Sequence, residues 1–379
     1  MNLLELASGF ATEGMPESVQ PLGDGNVNAT YVVEVTGGRR YVLQRLNTAV
    51  FARPDLVMAN LEAVVHHCRQ RLGTEPPTGD RDSWQVPSPV PLKAACGELD
   101  APCHLLRHGD GAWRMITFIE GAHCLERLQH SSEAREVGRA LGRFHALIHD
   151  LPAEQLADTL EGFHVTPGYH ARYLGVLAAA ATGPSAVAQR LADPQAQACV
   201  AFIAARQHLV PVLEQAREAG HLKLRPIHGD PKVNNVMLCS ATGRAVAMVD
   251  LDTVKPGLLH YDIGDALRSG CNPAGEETTD LEAVCFDLEL AAAMLRGYLH
   301  EAGAVLTRHD IDHLFDAIRL LPFELGLRFF CDHLEGDVYF KVTHPRHNLE
   351  RALVQFRLAE SIEAQERELR DLISALCES

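Results

Sequence analysis

The segment Ile227-His228-Gly229-Asp230-Pro231-Lys232-Val233-Asn234-Asn235, followed by Val249-Asp250-Leu251-Asp252, constrains the chain more than any other part of it. Between these blocks, Val236–Cys239 and Ala245–Val249 read as short apolar strands joined by the loop Ser240-Ala241-Thr242-Gly243-Arg244. On either side the pattern is helical. Apolar residues recur at helical spacing over Ser132–Leu151, Pro194–Ala219, 278–302, 309–334 and 346–376. One polar hairpin therefore interrupts an otherwise helical C-terminal part.

The N-terminal part reads differently. Ser18–Leu22 leads into Gly23-Asp24-Gly25, then Ala29–Val35 and Tyr41–Leu46 form strands around the turn Thr36-Gly37-Gly38-Arg39-Arg40. A helix follows from Pro54 to Leu72, with Pro at its first turn and Asp55 beside it. The Pro-rich stretch 74–93 reads as a loop, and the strands His104–Arg107 and Trp113–Ile119 flank Gly109-Asp110-Gly111. The expectation is an α+β chain of two lobes. Residues 1–121 form a small five-stranded antiparallel sheet lobe with one helix, and residues 122–379 form a large, mainly helical lobe.

The chemistry follows from the hairpin segment. Phosphoryl transfer from a nucleotide needs a group that takes the acceptor's proton, a carboxylate that holds magnesium, and a further oxygen ligand. Asp230, at a loop start, suits the base, and Asn235 offers an amide oxygen. Asp250 supplies the hard anionic oxygen that Mg²⁺ prefers. On an extended strand residues i and i+2 share a face, so Asp252 can join Asp250 at the metal.

These motifs resemble the catalytic loop and metal segment of the aminoglycoside phosphotransferase/choline kinase superfamily, small-molecule relatives of the protein kinases. The resemblance implies a bilobal protein-kinase-like fold with ATP and Mg²⁺ between the lobes. It places Gly23, Asp24, Gly25 and Asn28 in a loop over the nucleotide, and Thr117 and Ile119 at a hinge that holds adenine. Kinases carry a lysine on the third strand. Tyr41-Val42-Leu43-Gln44-Arg45 has none; Gln44 or Arg45 stands there, and alternation favours Gln44, with Glu62 where the lysine's acid partner would be.

A narrower resemblance rests on Phe163-His164-Val165-Thr166-Pro167, Asp262-Ile263-Gly264-Asp265, Leu334-Glu335-Gly336-Asp337-Val338-Tyr339-Phe340 and His347-Asn348-Leu349. These are similar to the N-acetylhexosamine 1-kinases, which phosphorylate the anomeric hydroxyl of N-acetylglucosamine or N-acetylgalactosamine. That similarity implies an acceptor site formed by Asp230, Arg328, Asp332, Asp337 and Tyr339, with Asp262 tying down the catalytic loop. The alternatives are another acceptor (N-acetylmuramate, an aminoglycoside, choline, homoserine) or a nucleotide-binding regulator without turnover. A cationic acceptor would draw on Glu324, Asp332, Glu335 and Asp337.

Charge and composition narrow the partners. Net charge is −16 over 379 residues, which argues against a protein that neutralises nucleic-acid phosphates. The start, MNLLELASGFATEGMPESV, lacks a basic n-region, and no apolar run has the length of a membrane span. Ten cysteines without a C-x-x-C pair read as thiols of a reducing compartment, so a cytoplasmic protein is expected. The sequence leaves monomer and homodimer open.

Overall fold

The computed structural model describes residues 2–23, 27–74, 83–93, 103–181, 183 and 185–377. The chain divides into two compact units. The first comprises Met1–His123, Leu147–Glu161 and Met237–Pro256; the second comprises Cys124–Ala146, Gly162–Val236 and Gly257–Ser379.

The first unit opens with α1 (Leu3–Ser8), followed by β1 (Pro16–Pro21), β2 (Ala29–Val35), β3 (Arg40–Leu46), α2 (Pro54–Thr74), β4 (Leu106–His108) and β5 (Gly111–Thr117). The strands form one sheet in the order β1-β2-β3-β5-β4, antiparallel throughout. Alternation decides which face each residue serves. Val33, Val35, Tyr41, Leu43, Trp113 and Met115 turn to one side and pack with Leu6, Phe10 and Val90 in a buried cluster. Thr30, Gln44 and Arg114 stand in cross-strand register on the opposite side. A second, three-stranded sheet joins β6 (Ala122–Cys124) to the hairpin β7 (Val236–Cys239) and β8 (Ala245–Met248). Helix α2 buries Val57, Met58, Leu61, Val64, Val65 and Cys68 at helical spacing. Its Asn60 Nδ2 donates to the carbonyls of Ala157 and Val254, both at 2.8 Å, which pins the chain just after Asp252.

The second unit is built on helices: α3 (Ser131–Ile148), α4 (Thr166–Ala180), α5 (Ala186–Leu191), α6 (Pro194–Ala205), α7 (Val212–Glu218), α8 (Leu259–Gly270), α9 (Leu288–Ala302), α10 (Arg308–Asp312), α11 (Leu314–Glu335), α12 (His347–Ala364) and α13 (Glu366–Cys377). Close packing there depends on missing side chains. A Cβ on Gly138 would lie 1.9 Å from the carbonyl oxygen of Met294, so α3 and α9 meet backbone to backbone.

Several helices expected as single pieces are broken. The run over 194–219 ends at Ala205 and resumes at Val212, with Pro211 at the start of the second piece. The run over 278–302 begins only at Leu288, capped by Asp287, and 309–334 divides at His313. The run over 346–376 breaks at Gln365, whose side chain turns to the carbonyls of Phe286 and Ser361. Cysteine usage also departs from expectation. Cys103 is disulfide-bonded; spacing could not exclude a bridge, which needs only that two Cα atoms approach to roughly 4.4–6.8 Å. Among the described residues no single helix is long and apolar enough to cross a membrane.

Candidate active site

The 228–235 loop of the second unit, where the catalytic residue is expected, is held from behind by Asp262, on the first turn of α8. This carboxylate is fully buried and accepts from the backbone N–H of His228 at 2.6 Å and of Gly229 at 2.8 Å. His145 Nε2 meets the same carboxylate at 2.8 Å while its Nδ1 meets the Tyr298 hydroxyl at 2.9 Å. Asp262 therefore shapes the loop, as expected of it. The loop turns at Gly229 with φ +84°, and Asp230 follows, partly exposed.

Around Asp230 the loop supplies its own polar partners. Lys232 Nζ lies 3.0 Å from Asp230 Oδ2. Asn235 Nδ2 donates to the backbone carbonyl of Asp230 at 2.8 Å, which fixes the orientation of the amide. Lys232 has no role in the reading from sequence, although its place two residues after Asp230 is the available signal.

A second clamp holds the loop through the 163–167 motif. His164 takes a left-handed conformation (φ +64°), its Nδ1 meets Glu324 Oε1 at 2.9 Å and its Nε2 meets the Gly229 carbonyl at 3.0 Å. Two acceptors require both ring nitrogens to donate, so the ring is an imidazolium. Burial opposes that charge, but the hydrogen bond and ion pair to Glu324 prevail and raise the pKa above its ordinary value. Thr166 Oγ1 occupies the other Glu324 oxygen at 2.6 Å.

The residues expected to bind an acceptor fall into two groups. Asp332 and Asp337 are engaged in building a loop. Asp332 accepts from the backbone N–H groups of Val338, Tyr339 and Phe340 at 3.0, 2.8 and 3.0 Å, and from Asn348 Nδ2 at 2.9 Å. Asp337 takes Arg190 Nη1 at 2.7 Å and Asn348 Nδ2 at 3.0 Å. Arg328 is the opposite case. It does not pair with Asp332, and among the described residues its guanidinium has no ion-pair or hydrogen-bond partner. Instead it lies 5.0 Å from the ring centres of Phe163 and Tyr169 and 5.6 Å from that of Phe340. Burial opposes its charge, yet Tyr169, Glu324, Tyr339 and Asp265 together raise its pKa. Tyr339 is exposed and packs edge-on against Phe340.

The first unit carries the expected nucleotide residues and two of the expected metal residues, Asp250 and Asp252. Strand β8 stops at Met248, Asp250 is left-handed (φ 62°, ψ 56°), and Leu251–Thr253 is a turn of 3-10 helix. Strand alternation therefore does not relate Asp250 to Asp252, which corrects the expectation that both share one face. An aspartate in this conformation carries strain on the order of 1 kcal/mol, a cost characteristic of functional positions. Asp250 is exposed. Asp252 is buried and its oxygens go to Arg114, in an ion pair, and to Asn28 Nδ2 at 2.5 Å.

Asn28 also accepts from the Asn47 backbone N–H at 2.9 Å, which ties its loop to the end of β3. Gly23 has φ +66°; Asp24 and Gly25 lie outside the described residues. Thr117 is backbone-paired with Ser88 and Ile119 is buried. Of the two residues weighed for the strand-three position, Arg45 pairs with Asp110 at the surface. Gln44 points the other way, donating to Thr30 Oγ1 at 3.2 Å and accepting from Arg114 Nε and Nη2 at 3.0 and 2.7 Å. Glu62 is bound to His104 at 2.7 Å. The sequence reading gave Arg114 no role. Its signal was joint, since pairing β3 with β5 puts Arg114 opposite Gln44.

Among the described residues no group of three or more His, Cys, Asp or Glu is arranged to hold a metal. Taken by itself, each unit holds an oxygen of the kind magnesium takes beside substrate phosphates. In the second unit the Asn235 amide is oriented by its own Nδ2 bond, and in the first Asp250 is an exposed carboxylate.

Comparison with known proteins bears on the family and the fold. A family model described as the phosphotransferase enzyme family matches residues 18–310. Among solved structures, the chain is similar to an aminoglycoside phosphotransferase from Alicyclobacillus acidocaldarius, with TM-score 0.59 and 16% identity over 99% of this chain and 97% of that one. It is also similar to a microcompartment-associated aminopropanol kinase, with TM-score 0.57 and 18% identity over 97% of each chain. An amicoumacin kinase in complex with AMP-PNP, Ca²⁺ and Ami gives TM-score 0.56 and 15% identity over 96% of this chain and 92% of that one. At such identities the likeness is one of fold, a five-stranded antiparallel sheet followed by a mainly helical region. Because the family model spans most of the sequence, the chain belongs to the phosphotransferase enzyme family.

Proposed function

We propose that this small-molecule kinase transfers the γ-phosphoryl group of ATP to the anomeric hydroxyl of an N-acetylhexosamine. One observation carries the choice of acceptor: the acids that a cationic acceptor would need are already occupied, while an arginine is left without a partner. Glu324 serves His164 and Thr166, Asp332 serves the 338–340 amides, Asp337 serves Arg190, and Glu335 serves Arg172. An unpaired guanidinium 5.0 Å from the Tyr169 ring suits carbonyl and hydroxyl oxygens, such as those of an acetamido group and a sugar ring.

In this reading Asp230 accepts the hydroxyl proton as the new O–P bond forms and the bond from the γ-phosphorus to the bridging oxygen breaks, leaving ADP. Lys232 steadies the charge at Asp230 Oδ2. Asn235 in the second unit and Asp250 in the first are the oxygens each unit would offer to magnesium, which when bound would neutralise phosphate charge. Asp252 braces Arg114 rather than the metal. Asp262 and His164 fix the loop on which Asp230 rides, so that positioning supplies much of the rate.

The same free guanidinium favours a second acceptor, N-acetylmuramate, whose lactyl carboxylate would pair with Arg328. ADP release with Mg·ATP across N-acetylglucosamine, N-acetylgalactosamine, N-acetylmuramate, choline and kanamycin tests both. Turnover on an N-acetylhexosamine supports the first reading, and preference for the muramate supports the second. Turnover confined to choline or kanamycin refutes both.

A further inference from the structure

A kinase needs a cation at the nucleotide phosphates, and the strand that normally provides it has none facing the right way. We propose that Arg114, one strand over on β5, supplies that charge. The inference rests on reading the chain as an ATP-dependent kinase and goes beyond it by assigning the residue.

Three features of the first unit support it. Arg114 stands in cross-strand register with Gln44, the residue at the lysine position, and donates to its Oε1 through Nε and Nη2. It is ion-paired with Asp252, two residues beyond Asp250, as a strand-three lysine would be paired with a helix acid. The acid expected for that role, Glu62, is committed to His104 instead. Finally, Arg114 is 1% exposed and its Nη1 has no hydrogen-bond partner. A buried donor of this kind is retained at a cost unless something fills it. Nη1 has N–H groups to offer a phosphate oxygen, with the rest of the guanidinium already fixed by Gln44 and Asp252. Arginine suits the place because its planar fork can serve a carboxylate, an amide and a phosphate at once.

The test compares ATP with adenosine, by calorimetric titration of the full chain without acceptor. Arg114→Met should weaken ATP binding at least 30-fold and leave adenosine binding within about twofold. Moving the charge back to β3 in Q44K/R114M should restore most of the preference for ATP. A purely structural arginine would weaken both ligands alike, and that result overturns the proposal, as does ATP binding unchanged in R114M or unrestored in the double variant. Should R114M not fold, Arg114→Lys carries the test, because its single nitrogen can stay with Asp252 but cannot also fill the place of Nη1. A tenfold selective loss of ATP affinity is then expected, and wild-type selectivity would refute the assignment. Wild-type protein that binds no ATP would refute the kinase reading itself.

Discussion

Replacing Asp262 with asparagine tests how the catalytic loop is held. The carboxylate is fully buried and accepts from two backbone N–H groups and from His145. Asparagine keeps the shape but turns one oxygen into a donor. Placed at Oδ2, the new NH₂ faces the His228 N–H; placed at Oδ1, it faces that of Gly229. Either way one charge-assisted bond is lost, about 1.5–3 kcal/mol, and one buried amide is orphaned, about 1–3 kcal/mol. Allowing for relaxation, the loop should lose roughly 3–4 kcal/mol. At 1.4 kcal/mol per factor of ten, exchange of the His228 and Gly229 amides should accelerate about 100- to 1,000-fold in D262N. Hydrogen exchange read by mass spectrometry on a peptide spanning 225–235 measures this directly. Exchange unchanged within threefold, in a variant that folds, would refute the claim that Asp262 holds the loop.

Other perturbations give distinct readouts. Arg328→Met should lower kcat/KM for the acceptor by two to three orders of magnitude, from loss of charged hydrogen bonds of about 1.5–3 kcal/mol each, with KM for ATP unchanged in steady-state assays. His164→Asn keeps a residue tolerant of the left-handed backbone but removes the imidazolium. Because the folded-state pKa of His164 lies above 6.5, its stabilisation is complete below that value and is lost as pH rises through the raised one. The wild-type melting temperature should therefore fall relative to that of the variant between neutral and alkaline pH, and parallel profiles would contradict the assignment. Gly138→Ala, placing a methyl 1.9 Å from the Met294 carbonyl, should destabilise by about 1–3 kcal/mol or more in thermal unfolding.

The strands of the first unit were legible because alternation and turn residues mark them locally: Tyr41–Leu46 of the sequence reading is Arg40–Leu46 in the sheet. The catalytic loop was legible because its chemistry is compressed into nine residues, His228 to Asn235 with Ile227 before them. What could not be read was how acids and bases separated along the chain share partners. Asp332 and Asp337 looked like sugar ligands, and only the return of 338–340 onto Asp332 shows them building a loop. Arg328 and Asp332 stand at helical pairing distance, yet Asp332 is taken by backbone amides. Asp252 was placed by strand alternation that the left-handed Asp250 had already broken. Arg114 carries no local signal, since a charged residue on one face of a strand is ordinary until the opposite strand is known.

The most direct measurement is the product of the reaction. The protein, Mg·ATP and N-acetylglucosamine or N-acetylgalactosamine are incubated and followed by ³¹P NMR, with Asp230→Asn alongside. The expected result is a sugar phosphate whose phosphorus couples to the anomeric proton, with loss of the reducing end and no product from D230N. Phosphate transfer to choline or kanamycin alone, or to a hydroxyl other than the anomeric one, would contradict the proposed reaction.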